Sequence, residues 1–146
     1  MADLSTKAIE EEIDGVMYKV WPLPFSVGRP ALVRLLGVLS PILSGVFKAQ
    51  SEAGQAAALF EALPAALTDA DLAYFGKVFG DASQYRTASG DWAPLIEKIQ
   101  AEHFADRYFA YFRWIALAAR CNYAGFFAGI KSGASAGGLF QMMTPK

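Results

Sequence analysis

The sequence has few of the residues on which enzymes and exported proteins depend. It contains one cysteine and one histidine in 146 residues. A single cysteine, Cys121, cannot form a disulfide within the chain, which favours a reducing cytoplasm over an oxidising compartment. One histidine, His103, without a paired cysteine supplies no ligand set for zinc. We therefore expect neither a metal nor a cofactor.

Charge is also sparse and balanced. Charged residues make up 18% of the chain and the net formal charge is -1, whereas about a quarter of the positions carry charge in an average soluble protein. The 13 basic residues are scattered and form no face that could neutralise a phosphate backbone, so nucleic acid is not expected as a partner. Hydrophobic residues reach 54%, which predicts apolar surface left over for a protein partner.

Long apolar runs are missing. The longest charge-free candidate for a membrane span, 35–47, has 13 residues and includes Pro41, although about 20 residues are needed to cross a bilayer. The N-terminal stretch MADLSTKAIEEEIDG is polar and acidic, where a secretory signal would begin basic and continue apolar. We therefore expect no membrane partner and no secretory export.

Local patterns predict one β-hairpin over about 9–23. The Asp-Gly pair at 14–15 tolerates the positive φ of a tight turn, and Val16, Tyr18 and Val20 alternate along one face of the second strand. The prolines that follow cannot donate a ladder hydrogen bond and should end this strand.

Helical periodicity dominates the remainder. Apolar spacing predicts a first helix from Pro30, which Pro41 should kink or interrupt near 39–40, and a second helix over 53–63. Thr68 has the spacing of a capping-box residue at the start of the next helix. We interpret 81–91 as an exposed loop or a short extended excursion.

The last helix is predicted to begin near 92–94 and to be apolar almost all round, as in a central helix. Its aromatic residues are assigned to the core by default. The expected fold is mainly α, a single domain over 1–130 with four to five helices at about 30–127 and the N-terminal hairpin. A flexible C-terminal tail is expected over 131–146.

Candidate catalytic residues lack their partners. Ser135 lies in a literal G-x-S-x-G, but no buried strand precedes it and no histidine follows it. His103 beside Glu102 is interpreted as a helix-surface or core-edge histidine, and Cys121 as an inert thiol. We therefore expect no enzyme. The enzymatic alternative is a small helical domain that uses His103 or Ser135.

The first and last helices carry more apolar surface than short helices can bury, which predicts binding of a partner or of a second copy. Arg107, Arg113 and Arg120 lie near one side of a helix and either pair with acids of a partner or extend from the rim of the core. The predicted client or oligomer surface comprises Leu32, Leu35, Leu36, Leu39, Phe47, Tyr111, Arg113, Phe126 and Phe127.

The order and spacing of short elements along most of the chain resemble one family, the small tail assembly chaperones of long-tailed bacteriophages. These elements are Glu12-Ile13-Asp14-Gly15 with Tyr18, Leu23-Pro24-Phe25, Gly28-Arg29-Pro30-Ala31-Leu32, Leu35-Leu36, Leu67-Thr68 with Asp71-Leu72, His103-Phe104-Ala105, Arg107-Tyr108, Trp114, Asn122-Tyr123 and Phe126-Phe127.

The resemblance implies a non-catalytic helical protein that binds the tape measure protein in the host bacterial cytoplasm. It would keep this client soluble until the tail tube polymerises, and then leave. The alternatives are a structural tail-completion component of the virion and a small membrane-active, holin-like protein that uses 35–47.

Overall fold

The computed structural model describes residues 8–46 and 65–133, with side chains described for 8–40 and 65–126. This part of the chain holds four helices and one four-stranded antiparallel sheet of strand order β1-β2-β3-β4. The elements are β1 (Ile9–Ile13), β2 (Val16–Val20), α1 (Phe25–Val46), α2 (Asp69–Gly80), β3 (Ser83–Arg86), β4 (Trp92–Pro94), α3 (Glu97–His103) and α4 (Tyr108–Gly133). The fold therefore combines helices with a sheet, and the prediction of a mainly α domain is wrong.

The N-terminal hairpin is confirmed. Strands β1 and β2 pair in antiparallel register with Ile13 opposite Val16. The two residues between them, Asp14 and Gly15, have φ angles of 50° and 82°. Positive φ at both central positions is what a two-residue hairpin turn of type I′ requires, and Asp and Gly tolerate it. The local sequence thus determines both the turn and the register of β1 on β2.

The sheet continues with β3, inside the segment 81–91 for which a loop or a short extended excursion was predicted, and with β4, where a helix start was predicted. Strand β3 pairs with β2, placing Val20 opposite Ser83, and β4 pairs with β3, placing Arg86 opposite Trp92. The prediction that a helix begins at 92–94 is therefore wrong. The open side of β2 has backbone donors and acceptors that need partners, and a segment distant in sequence supplies them.

Helix α1 begins at Phe25, five residues before the predicted start, and Pro41 does not interrupt it. The Pro24 carbonyl accepts from the backbone N–H of Gly28 and so extends the first turn. Proline at position 41 cannot donate to the carbonyl of Gly37, four residues earlier. The hydroxyl of Ser40 donates to the Gly37 carbonyl at 3.3 Å. This hydrogen bond replaces the one that Pro41 cannot form.

Helix α2 begins with the predicted cap. The Thr68 hydroxyl accepts from the Asp71 amide, and the Asp71 carboxylate accepts from the Thr68 amide, a complete capping box. Arg34 Nε on α1 lies 3.0 Å from the same carboxylate. Burial raises the pKa of Asp71, but the hydrogen bonds from Thr68 and the Arg34 cation outweigh it, so the pKa lies below its usual value. The predicted helix over 53–63 lies outside the described residues.

The predicted last helix is two helices. Helix α3 ends at His103, a turn over 104–107 follows, and α4 runs from Tyr108 to Gly133. Residues 131–133 are therefore helical rather than part of a tail, and 134–146 lie outside the described residues.

The helices cover one face of the sheet, and the core lies between the two layers. Its largest fully buried side chains are Trp114, Tyr18, Phe75, Phe79, Leu35, Leu39, Leu95, Ile115 and Val20. Because α4 contributes Trp114 and Ile115 and also contacts β1 and β2, it is the central helix of this layer.

Candidate protein-binding surface

Three of the residues predicted to form a client surface lie inside the molecule. Leu35, Leu36 and Leu39 are buried in the hydrophobic core, and Leu32 is partly buried against it. The helical stripe that contains them faces the rest of the chain, which already supplies the partner that their apolar character requires. Phe47 lies outside the described residues, as does the side chain of Phe127. Leu35, Leu36 and Leu39 therefore offer almost no accessible surface, and Leu32 offers only part of its side chain.

The other predicted residues lie on α4. The Tyr111 hydroxyl donates to the Leu72 carbonyl at 3.4 Å, and Phe126 packs partly buried against the core. Arg113 is exposed. Within the part of the chain that the structure describes, Arg113 forms no ion pair. Among the predicted client-surface residues whose side chains are described, Arg113 is the one that is exposed.

Sequence reasoning missed the most exposed aromatic residues of this helix. Tyr108 and Phe109 are 72% and 66% exposed, so their default assignment to the core is wrong. With the partly exposed Phe112 and the residues that follow, they define a surface that we call the α4 aromatic stripe. It comprises Tyr108, Phe109, Phe112, Arg113, Ala116 and Arg120.

Helical geometry places the members of this stripe on one side of α4, where Ala119 is the buried residue of the same arc. At 3.6 residues per turn its members lie within about 140° of the helix circumference, and Tyr108 and Phe109 each have a stripe neighbour four residues later. The opposite side carries Ala110, Trp114 and Ala118, all fully buried. Burial of that side against the sheet fixes the rotation of α4 and turns the stripe outward.

The charges on the stripe are positive. Arg120 Nη2 lies 3.0 Å from Glu11 Oε1 of β1, and both side chains remain accessible to solvent. An exposed pair of this kind contributes little to stability, so the guanidinium of Arg120 can exchange its partner at small cost. Together with Arg113, it provides two cations beside three aromatic rings.

Other exposed apolar residues lie apart from this stripe in sequence and on other elements. Phe25 is 78% exposed at the start of α1, and the guanidinium of Arg29 lies 5.9 Å from its ring centroid. Val33 on α1 and Ile96 before α3 are also exposed. Single exposed apolar residues are common on soluble proteins, so these positions serve as matched controls for the stripe.

The only histidine of the sequence lies at the junction of β2 and α3. The Tyr18 hydroxyl is 2.7 Å from His103 Nε2, and the rings of His103 and Tyr85 are 4.2 Å apart. Burial raises the pKa of Tyr18 to about 12, although Arg107 opposes it. Tyr18 therefore keeps its proton at neutral pH and can donate it to Nε2 of the imidazole tautomer that is protonated on Nδ1. This arrangement agrees with the interpretation of His103 as a core-edge residue.

The other candidate nucleophiles give no further site. Burial raises the pKa of Cys121, and its thiol lies 3.6 Å from the Val20 carbonyl. A protonated, partly buried thiol is a weak nucleophile. Ser135 lies outside the described residues.

The environment of His103 predicts a pH-dependent stability. Burial, followed by the Arg107 cation, lowers the pKa of His103 below its ordinary 6.5. The unfolded chain therefore binds this proton more readily, so the free energy of unfolding should fall as the pH is lowered through about 6.5. We expect a smaller fall for His103→Gln, which can still accept from Tyr18 but does not titrate. Urea unfolding at about pH 7.5 and about pH 5.5 measures the difference, and equal falls in both proteins would contradict the assignment.

Two other kinds of site are absent from the described residues. These residues contain no helix with both the length and the hydrophobicity of a bilayer span. They also contain no group of three or more His, Cys, Asp or Glu side chains that could hold a metal ion.

No protein-family model, no curated protein and no solved structure matches this chain.

Proposed function

We propose that this chain is a non-catalytic tail assembly chaperone of a long-tailed bacteriophage. In this proposal it binds the tape measure protein in the host bacterial cytoplasm and keeps it soluble until the tail tube polymerises around it. The observation that carries the proposal is the α4 aromatic stripe, where Tyr108 and Phe109 are adjacent and mostly exposed on a helix whose other side is core.

The composition of the stripe suits a helical client. Aromatic residues and arginine dominate the binding energy of protein interfaces because they bury large areas and add directional contacts. A client helix with apolar residues at i, i+3, i+4 and i+7 can lay its apolar face on the rings of Tyr108, Phe109 and Phe112. The small side chain of Ala116 leaves room for close approach of a second helix.

The positive charges favour an acidic rim on the client. Arg113 has no ion-pair partner in the described part of the chain, and Arg120 shares an exposed one. A client helix with Asp or Glu beside its apolar face would pair with both cations, which gives orientation and a faster association. One such contact is weak, but many copies bound along one long client cover it effectively.

Co-expression with the client tests the proposal. The chain and the tape measure protein encoded near it are produced together, and the soluble, co-purifying fraction of the client is measured. We expect the wild-type chain to keep the client in solution, and Tyr108→Ser/Phe109→Ser to reduce its co-purification by about tenfold or more, because two aromatic contacts are lost.

Phe25→Ser is the matched control, since it removes an equally exposed aromatic residue from a different helix. It should leave co-purification unchanged. Loss of the client with Phe25→Ser but not with the double variant would place the binding surface on α1. An insoluble client in the presence of abundant wild-type chain would contradict the chaperone function itself.

A further inference from the structure

The sheet has a second face that none of the described helices covers. Strand alternation directs Tyr18, Val20 and Ser83 toward the helices, where they are buried. The residues between them point the opposite way, and none is buried. We call this the outer sheet face, which comprises Glu10, Glu12, Met17, Lys19, Trp21, Gln84, Arg86 and Trp92.

One part of the outer sheet face is aromatic and cationic. The ammonium group of Lys19 lies 5.2 Å from the ring centroid of Trp21 and 5.3 Å from that of Trp92. The guanidinium of Arg86 lies 5.9 Å from the centroid of Trp92. These contacts hold both cations over indole rings, an arrangement that is favourable at accessible sites. The positive charge is thereby concentrated over β2, β3 and β4.

The other part of this face is acidic. Glu10 and Glu12 point outward from the edge strand β1, and both are exposed. Glu10 stands opposite Lys19 in the register, but the Lys19 ammonium lies over the tryptophan rings instead. Within the described residues neither carboxylate forms an ion pair. Negative charge therefore lies along one edge of the face, and positive charge over the remainder.

We infer that the outer sheet face is the interface of a symmetric dimer of this chain. A two-fold interface brings the same patch of both copies together, so the patch must complement itself. An axis parallel to the strands places β1 of one copy over β4 of the other. Glu10 and Glu12 then face Trp92 and the Lys19 and Arg86 cations that lie over its ring. The perpendicular axis would place β1 over β1 and set carboxylates against carboxylates, which is unfavourable.

The residues of the face fit this partner. Tryptophan, methionine and arginine are enriched at protein interfaces, and two sheets pack face to face about 10 Å apart with interdigitating side chains. The four strands of three to five residues cover at most roughly 19 by 17 Å, which is smaller than the face that a stable interface buries on each partner. The dimer is therefore a weak one that depends on protein concentration. The glutamates of β1 also oppose edge-to-edge pairing of that strand.

Charge exchange tests the dimer. Glu10→Lys/Glu12→Lys makes the face wholly positive, and Lys19→Glu/Arg86→Glu makes it wholly negative. Sedimentation velocity over a concentration series should show dimers for the wild type, monomers for each variant alone, and dimers again in an equimolar mixture of the two variants. Recovery in the mixture also shows that both variants are folded. Lys77→Glu/Lys98→Glu, which changes the charge of exposed residues on α2 and α3, should dimerise like the wild type.

The unmodified chain gives an independent measurement. Trp114 is fully buried, so a concentration-dependent blue shift of tryptophan emission reports on Trp21 and Trp92, and this shift is expected. A wild type that stays monomeric, or dimers that persist in each variant alone, would overturn the inference. So would two folded variants that remain monomeric in the mixture. A monomeric wild type that binds a single-stranded oligonucleotide through Trp21 and Trp92 would assign the face to another ligand.

Discussion

Trp114→Ala is expected to lower the free energy of unfolding by about 3–5 kcal/mol, the range of large-to-small changes of a buried aromatic residue. Trp114 is the largest fully buried side chain of the core. Its ring lies 5.7 Å from that of Phe104 and 6.0 Å from that of Tyr111. Alanine would leave a cavity between the sheet and α4 that these rigid neighbours cannot fill.

Loss of a buried hydrogen bond adds to the expected destabilisation by Trp114→Ala. The indole N–H of Trp114 donates to Ser83 Oγ at 3.1 Å, and this buried hydroxyl donates to the Phe79 carbonyl at 2.7 Å. Trp114→Phe keeps most of the ring volume and loses the N–H donor. It should therefore lower the free energy of unfolding by less than Trp114→Ala does. Urea unfolding followed by far-ultraviolet circular dichroism measures both. Tyr108→Ala, an exposed aromatic control, should be within about 0.5 kcal/mol of the wild type, and a similarly small effect of Trp114→Ala would remove Trp114 from the core.

Gly80→Ala is expected to destabilise the protein by about 2–3 kcal/mol, because the added methyl group overpacks a closed site. A Cβ at this position would lie 2.6 Å from the Leu95 carbonyl oxygen and would overlap the side-chain amide of Gln100. That amide is fixed, since Nε2 donates to the carbonyls of Gly76 and Leu95, each at 2.8 Å. The approach of α2 to α3 therefore depends on the missing side chain.

Gly37→Ala provides the matched helical control. Gly37 lies on the exposed side of α1, and a Cβ there meets nothing within 4 Å. Alanine is a better helix former than glycine, so this variant should be about 0.5–1 kcal/mol more stable than the wild type. The same Gly→Ala substitution is thus expected to stabilise the protein in α1 and to destabilise it in α2. Thermal unfolding of both variants measures the two changes in stability. Stabilisation by Gly80→Ala would show that Gln100 does not close this site.

The features that could be predicted are those whose determinants lie close together in the sequence. Asp14 and Gly15 define the hairpin turn without help from other elements, and Thr68 with Asp71 forms a complete capping box within four residues. The helical stripe at Leu35 and Leu39 also predicted a helix correctly. A stripe shows which side of a helix is apolar but not what covers it, and here the same chain covers it.

The features that were missed depend on contacts distant in sequence. The pairing of Val20 with Ser83 joins segments separated by more than 60 residues, and neither β3 nor β4 is long enough to show alternation. A signal for the α4 aromatic stripe was present in the helical phase. Ala110, Trp114 and Ala118 recur every four residues and mark the buried side, from which Tyr108 and Phe109 are rotated away.

The two proposed surfaces are compatible, because they lie on opposite layers of the molecule. Helix α4 packs on the inner face of the sheet, so a dimer through the outer sheet face would leave the stripes of both copies accessible. Such a dimer would bind two client segments at once. Its affinity for the client would rise by avidity, because the second segment binds at a high effective concentration, without any new contact. The proposals nevertheless fail separately, since client binding and self-association are measured on different variants.

The most direct test of the client surface is a chemical-shift map. Backbone amide resonances of the chain are followed by nuclear magnetic resonance while a helical fragment of the tape measure protein is added. We expect the largest changes to cluster on the stripe between Tyr108 and Arg120, with small changes along α2 and the outer sheet face. Changes confined to α1 or to the sheet, or no saturable change at any residue, would contradict the assignment of the client surface to α4.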